Sequence, residues 1–235
     1  MLLSAPIYKL KRRARLLARE AGIPLNQALD RIAAEEGYRG WSQLAARAAA
    51  EGPAGRIYAR LRPGDLLLLA ARPGQGKTLL GLELLLEAAK AGRRAVFFTL
   101  EYSQREVTEK LRGLGAAPGS IEVDSSDAIC AEHIAGRLAG AAEGTLAVID
   151  YLQLLDQKRC TPPLAEQAAR LKAFAAGSGA ILICLSQIDR GYDATTKALP
   201  DVTDLRLPNP LDLGLFSKAC FLNDGKLRFE SLAGS

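Results

Sequence analysis

Two periodicities divide the chain near residue 53. Before it, Leu10, Ala14, Leu17 and Ala21 recur at i, i+4, i+7 and i+11, the spacing of one apolar helix stripe. Gly22 ends this helix, and Pro24 sits where the next begins. Leu25, Leu29, Ile32 and Ala33 repeat the stripe as far as Gly37, and Ser42 is placed to cap a third helix through Leu44, Ala45 and Ala48. Tyr38 and Trp41 supply the bulk, so residues 1–53 are expected to form a small all-α domain. Trp41 is expected in its core rather than as a base-stacking platform. A core of that size is weak alone. Glu51-Gly52-Pro53-Ala54-Gly55 is expected to be a linker to a second domain over 54–235.

From Gly64 onward, short apolar runs alternate with longer amphipathic ones. Leu66–Ala70, Ala95–Leu100, Ile121–Val123, Leu146–Ile149 and Ala180–Leu185 read as strands. Thr78–Ala91, Ser103–Leu114, Asp127–Leu138 and Leu164–Ala176 read as helices between them. Continuous apolar strands separated by helices predict an α/β fold, a mainly parallel sheet covered on both faces. Lys218–Leu222 and Lys226–Phe229 flank Asn223-Asp224-Gly225, the signature of a β-hairpin with a tight turn.

Composition narrows the class. Among 235 residues, 49% hydrophobic and 24% charged describe a globular chain rather than a disordered one. Cys130, Cys160, Cys184 and Cys220 are too scattered for a zinc ligand set or a disulfide framework, which fits a reducing compartment. The first residues hold no apolar stretch of signal-peptide length, and no uninterrupted apolar run reaches the length of a membrane span. The expected location is the cytoplasm, with no membrane partner. Charge is uneven: nine bases against five acids in residues 1–53 leave about +4 there, out of a total of +5. The first nineteen residues carry six bases and no acid, a pattern that attracts polyanions unless it is merely a solvated helix face.

The run Leu66–Leu86 has the length of a membrane span but is broken by Arg72-Pro73-Gly74-Gln75-Gly76-Lys77. Strand, glycine-rich loop, Gly-Lys-Thr and helix together make a P-loop. Glycines let several backbone N–H groups converge on phosphate oxygens, and the following helix turns its positive dipole end to the same anion. The loop from Arg72 through Leu79 is therefore the expected nucleotide-binding segment. Lys77 is assigned to the β- and γ-phosphates, and the Thr78 hydroxyl to Mg²⁺. Ala71 stands where the usual pattern has its first glycine. Asp150 ends the strand LAVI and is the expected second oxygen ligand for the metal, although a strand-end Asp can also merely cap a turn. Glu101, just past AVFFTL, is the candidate base, and Gln187, past AILICLS, the candidate γ-phosphate sensor. Open parallel sheets bind ligands at this carboxyl edge.

"GDLLLLAARPGQGKT", "FFTLEYS", "LAVIDYLQLLDQ" and "ICLSQIDR" occur in order, and together they resemble the RecA-type ATPase domain of DnaB-type replicative helicases. The resemblance spans roughly Gly64 to Arg190 and extends more weakly to Phe229. In that family Ala71-Arg72-Pro73 is a normal opening of the loop. The resemblance implies a RecA-like P-loop NTPase that binds ATP and Mg²⁺ through Lys77 and Thr78. It implies that Glu101 activates water, that Asp150 serves the metal, and that Gln187 couples the phosphate to DNA-facing loops. It further implies single-stranded DNA as partner and a ring, a hexamer in the family, with ATP held between subunits. The family has a larger helical domain in front, where this chain has about fifty residues. It also supplies a Lys and an Arg in trans from a late hairpin, for which Lys226 and Arg228 are the candidates here, although they follow the turn rather than precede it. Asp193–Asp204, with Lys197 as its one base, and the basic triplet Gln157-Lys158-Arg159 are candidate DNA contacts. The alternatives are a KaiC-like or regulatory ATP switch without translocation, and a DNA-binding module in which ATP only stabilises the ring.

Other chemistry finds little support. His133 is the single histidine and has no ligand partners at metal spacing. Ser186 lacks a histidine for a nucleophilic triad. Cys184, inside an apolar strand, is expected to be a small core filler.

Overall fold

The computed structural model describes residues 4–5, 7–150, 152–156, 162–206 and 211–232. Tyr151, Cys160 and the triplet Gln157-Lys158-Arg159 lie outside the described residues. Packing separates Met1–Arg56 from Ile57–Ser235.

The first unit contains α1 (Ile7–Glu20), α2 (Leu25–Glu35) and α3 (Trp41–Glu51). Leu10, Ala14, Ala28, Ile32, Ala33 and Leu44 form its core, with Leu17, Leu29, Tyr38 and Trp41 packed at the edge. Ala21 and Leu25 are exposed, so the buried stripe is narrower than the spacing predicts. Ser42 does not cap α3. The helix starts one residue earlier, and the Trp41 amide donates to Asp30 Oδ1 at 2.8 Å, an acid brought from α2. The expected linker is also helical: Pro53–Tyr58 forms α4, opened by a proline whose missing N–H costs nothing in a first turn. Ala54 and Ile57 are buried, which is why the chain does not hang free there.

The second unit is built on β1 (Leu66–Ala71), β2 (Ala95–Thr99), β3 (Glu122–Asp124), β4 (Leu146–Asp150), β5 (Ile181–Gln187), β6 (Lys218–Asn223) and β7 (Lys226–Ser231). The sheet order is β3-β2-β4-β5-β1-β6-β7, parallel throughout except for the β6–β7 hairpin. The connecting helices are α5 (Lys77–Lys90), α6 (Gln104–Leu114), α7 (Ala131–Arg137) and α8 (Leu164–Ser178). Asp127–Leu138 was expected to be one helix; only its second half is helical, because Ser126 and Asp124 fold the preceding residues into turns. The Asp224-Gly225 turn has φ of 48° and 69°, positive at both centres, which suits the right-handed twist of a hairpin.

Alternation along the strands sends side chains to two covered faces. Leu66, Leu68, Phe98, Ile149, Leu182 and Cys184 share one cluster with Leu164, Ala168, Leu171 and Ala175 of α8. On the opposite face α5 lies close to the sheet: a Cβ on Gly81 would stand 3.1 Å from Val148 Cγ1 and 3.5 Å from the Leu185 methyls. Burial on most sides explains why Leu80, Leu82, Leu84, Leu85 and Leu86 crowd a single helix. At the amino edge, Asp65 joins β1 to β6: it accepts from the Arg62 amide at 2.6 Å and the Ser217 hydroxyl at 2.7 Å and pairs with Lys218. His133 proves structural, its Nε2 standing 2.9 Å from Asp124 Oδ2 and its ring edge-on to Phe98.

Candidate nucleotide site at the carboxyl edge of the sheet

β1, β2, β4 and β5 all end at one edge of the sheet, with Ala71 opposite Gln187 and Thr99 opposite Asp150 in register. The loop that leaves β1 turns at Gly74 and Gly76, with φ of 79° and 85°, a region that L side chains enter only at a cost. Ala71 shows no such φ. It is still the last, fully buried residue of β1, and its carbonyl accepts from the Ile188 amide at 3.1 Å. An extended residue has no need of glycine, which is the physical reason that alanine fits there.

Gly76 precedes α5 in left-handed conformation and offers no side-chain cap, and no acid stands in the first turn of the helix. Nothing on Gly76 therefore competes for the first-turn amides that a helix leaves unpaired, and the dipole there favours an anion. The loop is braced from outside: Gln75 Oε1 accepts from the Asp224 amide, in the β6–β7 turn, at 2.7 Å. Leu79 faces outward and is 48% exposed, so only its backbone is available to the site. Arg72 is half-buried, and its charge reaches Tyr192 and Asp193 of the segment after β5.

Four predicted side chains meet beyond the loop. Lys77 Nζ stands 3.4 Å from Asp150 Oδ1 and 3.8 Å from Glu101 Oε2. The Thr78 hydroxyl donates to Asp150 Oδ2 at 2.9 Å. Asp150 is only 1% exposed; burial pushes its carboxyl pKa up, against the pull of Lys77 and Thr78 toward the anion. Lys77 and Thr78 are the partners that favour the anionic form of this buried carboxyl, which would lose that support if either were removed. Glu101 is less enclosed, its side chain being 39% exposed.

Sequence reasoning missed what aims Glu101. Thr99 Oγ1, buried at the end of β2, accepts from both the Glu101 and the Tyr102 amides at 3.1 Å. The chain turns sharply there instead of continuing as strand. A buried threonine closing an otherwise apolar strand was the available signal. Tyr102 is drawn into the same cluster: burial and then the charges of Glu101 and Asp150 push its phenol pKa up, while a hydrogen bond with Thr78 opposes them.

Gln187 shares the sheet edge but is not joined to these groups. Its carbonyl accepts from the Arg206 amide at 2.9 Å, and its side-chain amide bonds to none of the described residues. Between Asp193 and Asp204, Lys197 does not project a free charge, since Asp201 at 2.7 Å and Asp204 at 2.5 Å hold it. Arg228 pairs with Glu230 at 2.7 Å and approaches Asp201 at 3.9 Å, while Lys226 is exposed.

The site has the donors that magnesium takes from protein when phosphates and water supply the rest: one hydroxyl and one carboxylate, both hard oxygens and already adjacent. Among the described residues no three His, Cys, Asp or Glu side chains converge on a metal, and no helix is long and apolar enough to cross a membrane.

Comparison with known proteins gives the same reading of the second unit. Residues 55–125 and 120–209 match the sequence model of the DnaB-like helicase C terminal domain. The chain is 28% identical over 181 residues to the replicative DNA helicase DnaB of Synechocystis sp., covering 62% of this chain and 21% of that one. It is 27% identical over 181 residues to DnaB of Leifsonia xyli, covering 62% and 40%. With the probable plasmid replicative DNA helicase of Chlamydia muridarum it is 26% identical over 216 residues, covering 73% and 48%. The chain thus spans half or less of the length of these curated relatives. Among solved structures, the ATPase domain of G40P superposes with a TM-score of 0.58 at 18% identity, covering 72% of this chain and 74% of that one. A DnaB-like replicative helicase studied with primase gives 0.57 at 18%, covering 92% and 66%. A KaiC-like protein of Pyrococcus horikoshii gives 0.51 at 16%, covering 67% and 70%. These likenesses establish a RecA-like fold. With the family match extending from the first turn of the second unit to the segment after β5, the chain belongs to the family of the DnaB-like helicase C-terminal domain.

Proposed function

We propose that the chain is an ATP-hydrolysing motor unit that binds ATP with Mg²⁺ at the carboxyl edge of β1, β4 and β2 and acts on single-stranded DNA as a homo-oligomeric ring, a hexamer by analogy with its family. The observation that carries the reading is the convergence of Lys77, Thr78, Glu101 and Asp150, from three separate strand ends, in front of an uncapped helix N-terminus.

The loop amides of residues 74–79 and the dipole of α5 receive the phosphates. Lys77 exchanges its carboxylate partners for phosphate oxygens and neutralises charge that develops at the terminal phosphoryl group. Thr78 and Asp150 would hold Mg²⁺, which would supply electrostatic stabilisation to the phosphate oxygens. Glu101, anchored through Thr99 and open to solvent on one side, orients the attacking water and accepts its proton. Gln187 lies at the end of the neighbouring strand, where the state of the terminal phosphate is passed to the segment after β5. Lys226 and Arg228 are the candidates for charge supplied to the neighbouring subunit's nucleotide.

A second reading has one observation in its favour. Lys197 is neutralised by Asp201 and Asp204, so the segment after β5 presents little positive charge to a strand. An ATP-dependent switch without translocation would have no need of such charge. ATP turnover measured with and without single-stranded DNA, alongside light scattering to count subunits, decides between them. Turnover that rises with DNA in a ring supports the motor; turnover indifferent to DNA supports the switch.

A further inference from the structure

A strongly charged surface outside the proposed nucleotide site lies on α1. Lys11, Arg12, Arg15 and Arg19 are all exposed. At about 100° per residue they fall within an arc of about 100° on one side of the helix. Leu10 and Ala14 occupy another side, buried among Ala28, Ile32 and Leu44. Arg13 points away from the cationic arc and pairs with Glu35 at 2.8 Å.

The acids of this unit nearest the arc are engaged elsewhere or lie off it. Glu36 accepts from the Ser4 amide at 2.8 Å and from its hydroxyl, and Asp30 holds the start of α3. Glu35 is taken by Arg13, and Glu20 lies about 140° around the helix from Arg15. Among the described residues, none of the four cations has a hydrogen bond or ion pair. Four like charges kept together without counter-ions in the fold repel one another, and a polyanion relieves that repulsion.

We propose that this face of α1 docks on the phosphate backbone of duplex DNA, without reading sequence. From Lys11 to Arg19 the helix rises about 12 Å. The two strands of a duplex together present one phosphate charge per about 1.7 Å of axis, so several phosphates lie within reach of a cationic face of that length. Three of the four are arginines, whose planar forks take two phosphate oxygens at once. A bilayer is the poorer partner, because the apolar stripe of α1 is consumed in the core and, among the described residues of the helix, Leu16, 48% exposed, is the one large apolar side chain left outside. The surface lies wholly in the first unit and does not depend on ATP hydrolysis, so it stands or falls separately from the proposed motor.

The test is fluorescence anisotropy of the full chain with a short labelled duplex of arbitrary sequence, without nucleotide, over a series of salt concentrations. The triple substitution Arg12→Gln/Arg15→Gln/Arg19→Gln keeps good helix formers at exposed positions. Loss of three phosphate contacts flattens the slope of log K against log[salt] by about 2.7, at about 0.9 per contact. Affinity at low salt falls at least tenfold, by about 1.4 kcal/mol. Arg13→Gln, which lies off the arc, leaves the slope unchanged, and replacing the same three arginines by lysine restores most of it. Lys77→Ala, which disables the nucleotide loop, leaves duplex binding intact. An unchanged slope in the triple variant overturns the proposal, as does wild-type binding to phosphatidylglycerol vesicles without binding to the duplex.

Discussion

Gln75 and Asp224 stand 149 residues apart in sequence, yet the Gln75 side-chain oxygen accepts the Asp224 amide hydrogen at 2.7 Å. The bond fastens the glycine loop after β1 to a turn whose backbone is fixed by two successive positive φ values. A loop that must hold several amides in one orientation gains from such a brace, because less ordering remains to be done on binding. Gln75→Ala is expected to weaken ATP binding severalfold while lowering global stability by no more than about 1 kcal/mol, the net worth of one hydrogen bond. Titration with a fluorescent nucleotide and urea unfolding of the same variant separate the two effects.

The role proposed for Glu101 is that of a base and not of a binding group, so its removal should divide turnover from affinity. Glu101→Gln keeps the shape and loses the proton acceptor. Its kcat is expected to fall by about 10²–10⁴-fold, the usual contribution of a general base, with nucleotide affinity near wild type. A variant that binds ATP poorly but turns over what it binds at the normal rate would remove Glu101 from that role.

Gly76 meets no obstacle to a Cβ closer than Leu222 Cδ2 at 4.0 Å, so space does not require glycine. Its φ of 85° does. Gly76→Ala should cost about 1–3 kcal/mol of backbone strain or shift the loop to avoid it. Either outcome weakens nucleotide binding, and a urea midpoint measured beside the nucleotide titration shows which has occurred.

Asp65 gives a prediction in pH. Burial raises its pKa, but hydrogen bonds from Lys218, the Arg62 amide and Ser217 outweigh that, and the net shift is downward. A carboxyl with a folded-state pKa below its unfolded value contributes stability above the unfolded pKa, near 4, and loses it as pH falls through the folded value. Asp65→Asn should therefore destabilise by about 3 kcal/mol at neutral pH, because Lys218 is left half-buried without its partner. The gap between wild type and variant, followed by urea midpoints, should close as the solution is acidified below about pH 4.

The parts of the molecule legible in the sequence were those governed by local periodicity and by backbone chemistry. Alternating apolar runs and helices gave the parallel sheet, and Asp224-Gly225 gave the hairpin. The glycines of the loop marked where the backbone curls, and Gly74 and Gly76 are its positive-φ positions. What was not legible depended on partners far away in sequence. Asp30 rather than Ser42 holds the start of α3, since a side chain from α2 reaches the Trp41 amide first. Residues 51–55 read as a linker from Gly and Pro, yet Pro53–Tyr58 forms a helix in which Ala54 and Ile57 are buried. Lys197 read as the one base of a candidate DNA-contact segment, and the fold pairs it with Asp201 and Asp204. Thr99 and Gln75 act through single hydrogen bonds that no period announces.

The most direct test of the nucleotide site is magnesium-dependent ATP turnover by the wild-type chain and by Lys77→Ala, with folding of both checked by circular dichroism. Wild-type protein is expected to release phosphate only when magnesium is present, and a folded Lys77→Ala chain to release almost none. Equal turnover by the two would place the reaction elsewhere in the protein and contradict the site built here from Lys77, Thr78, Glu101 and Asp150.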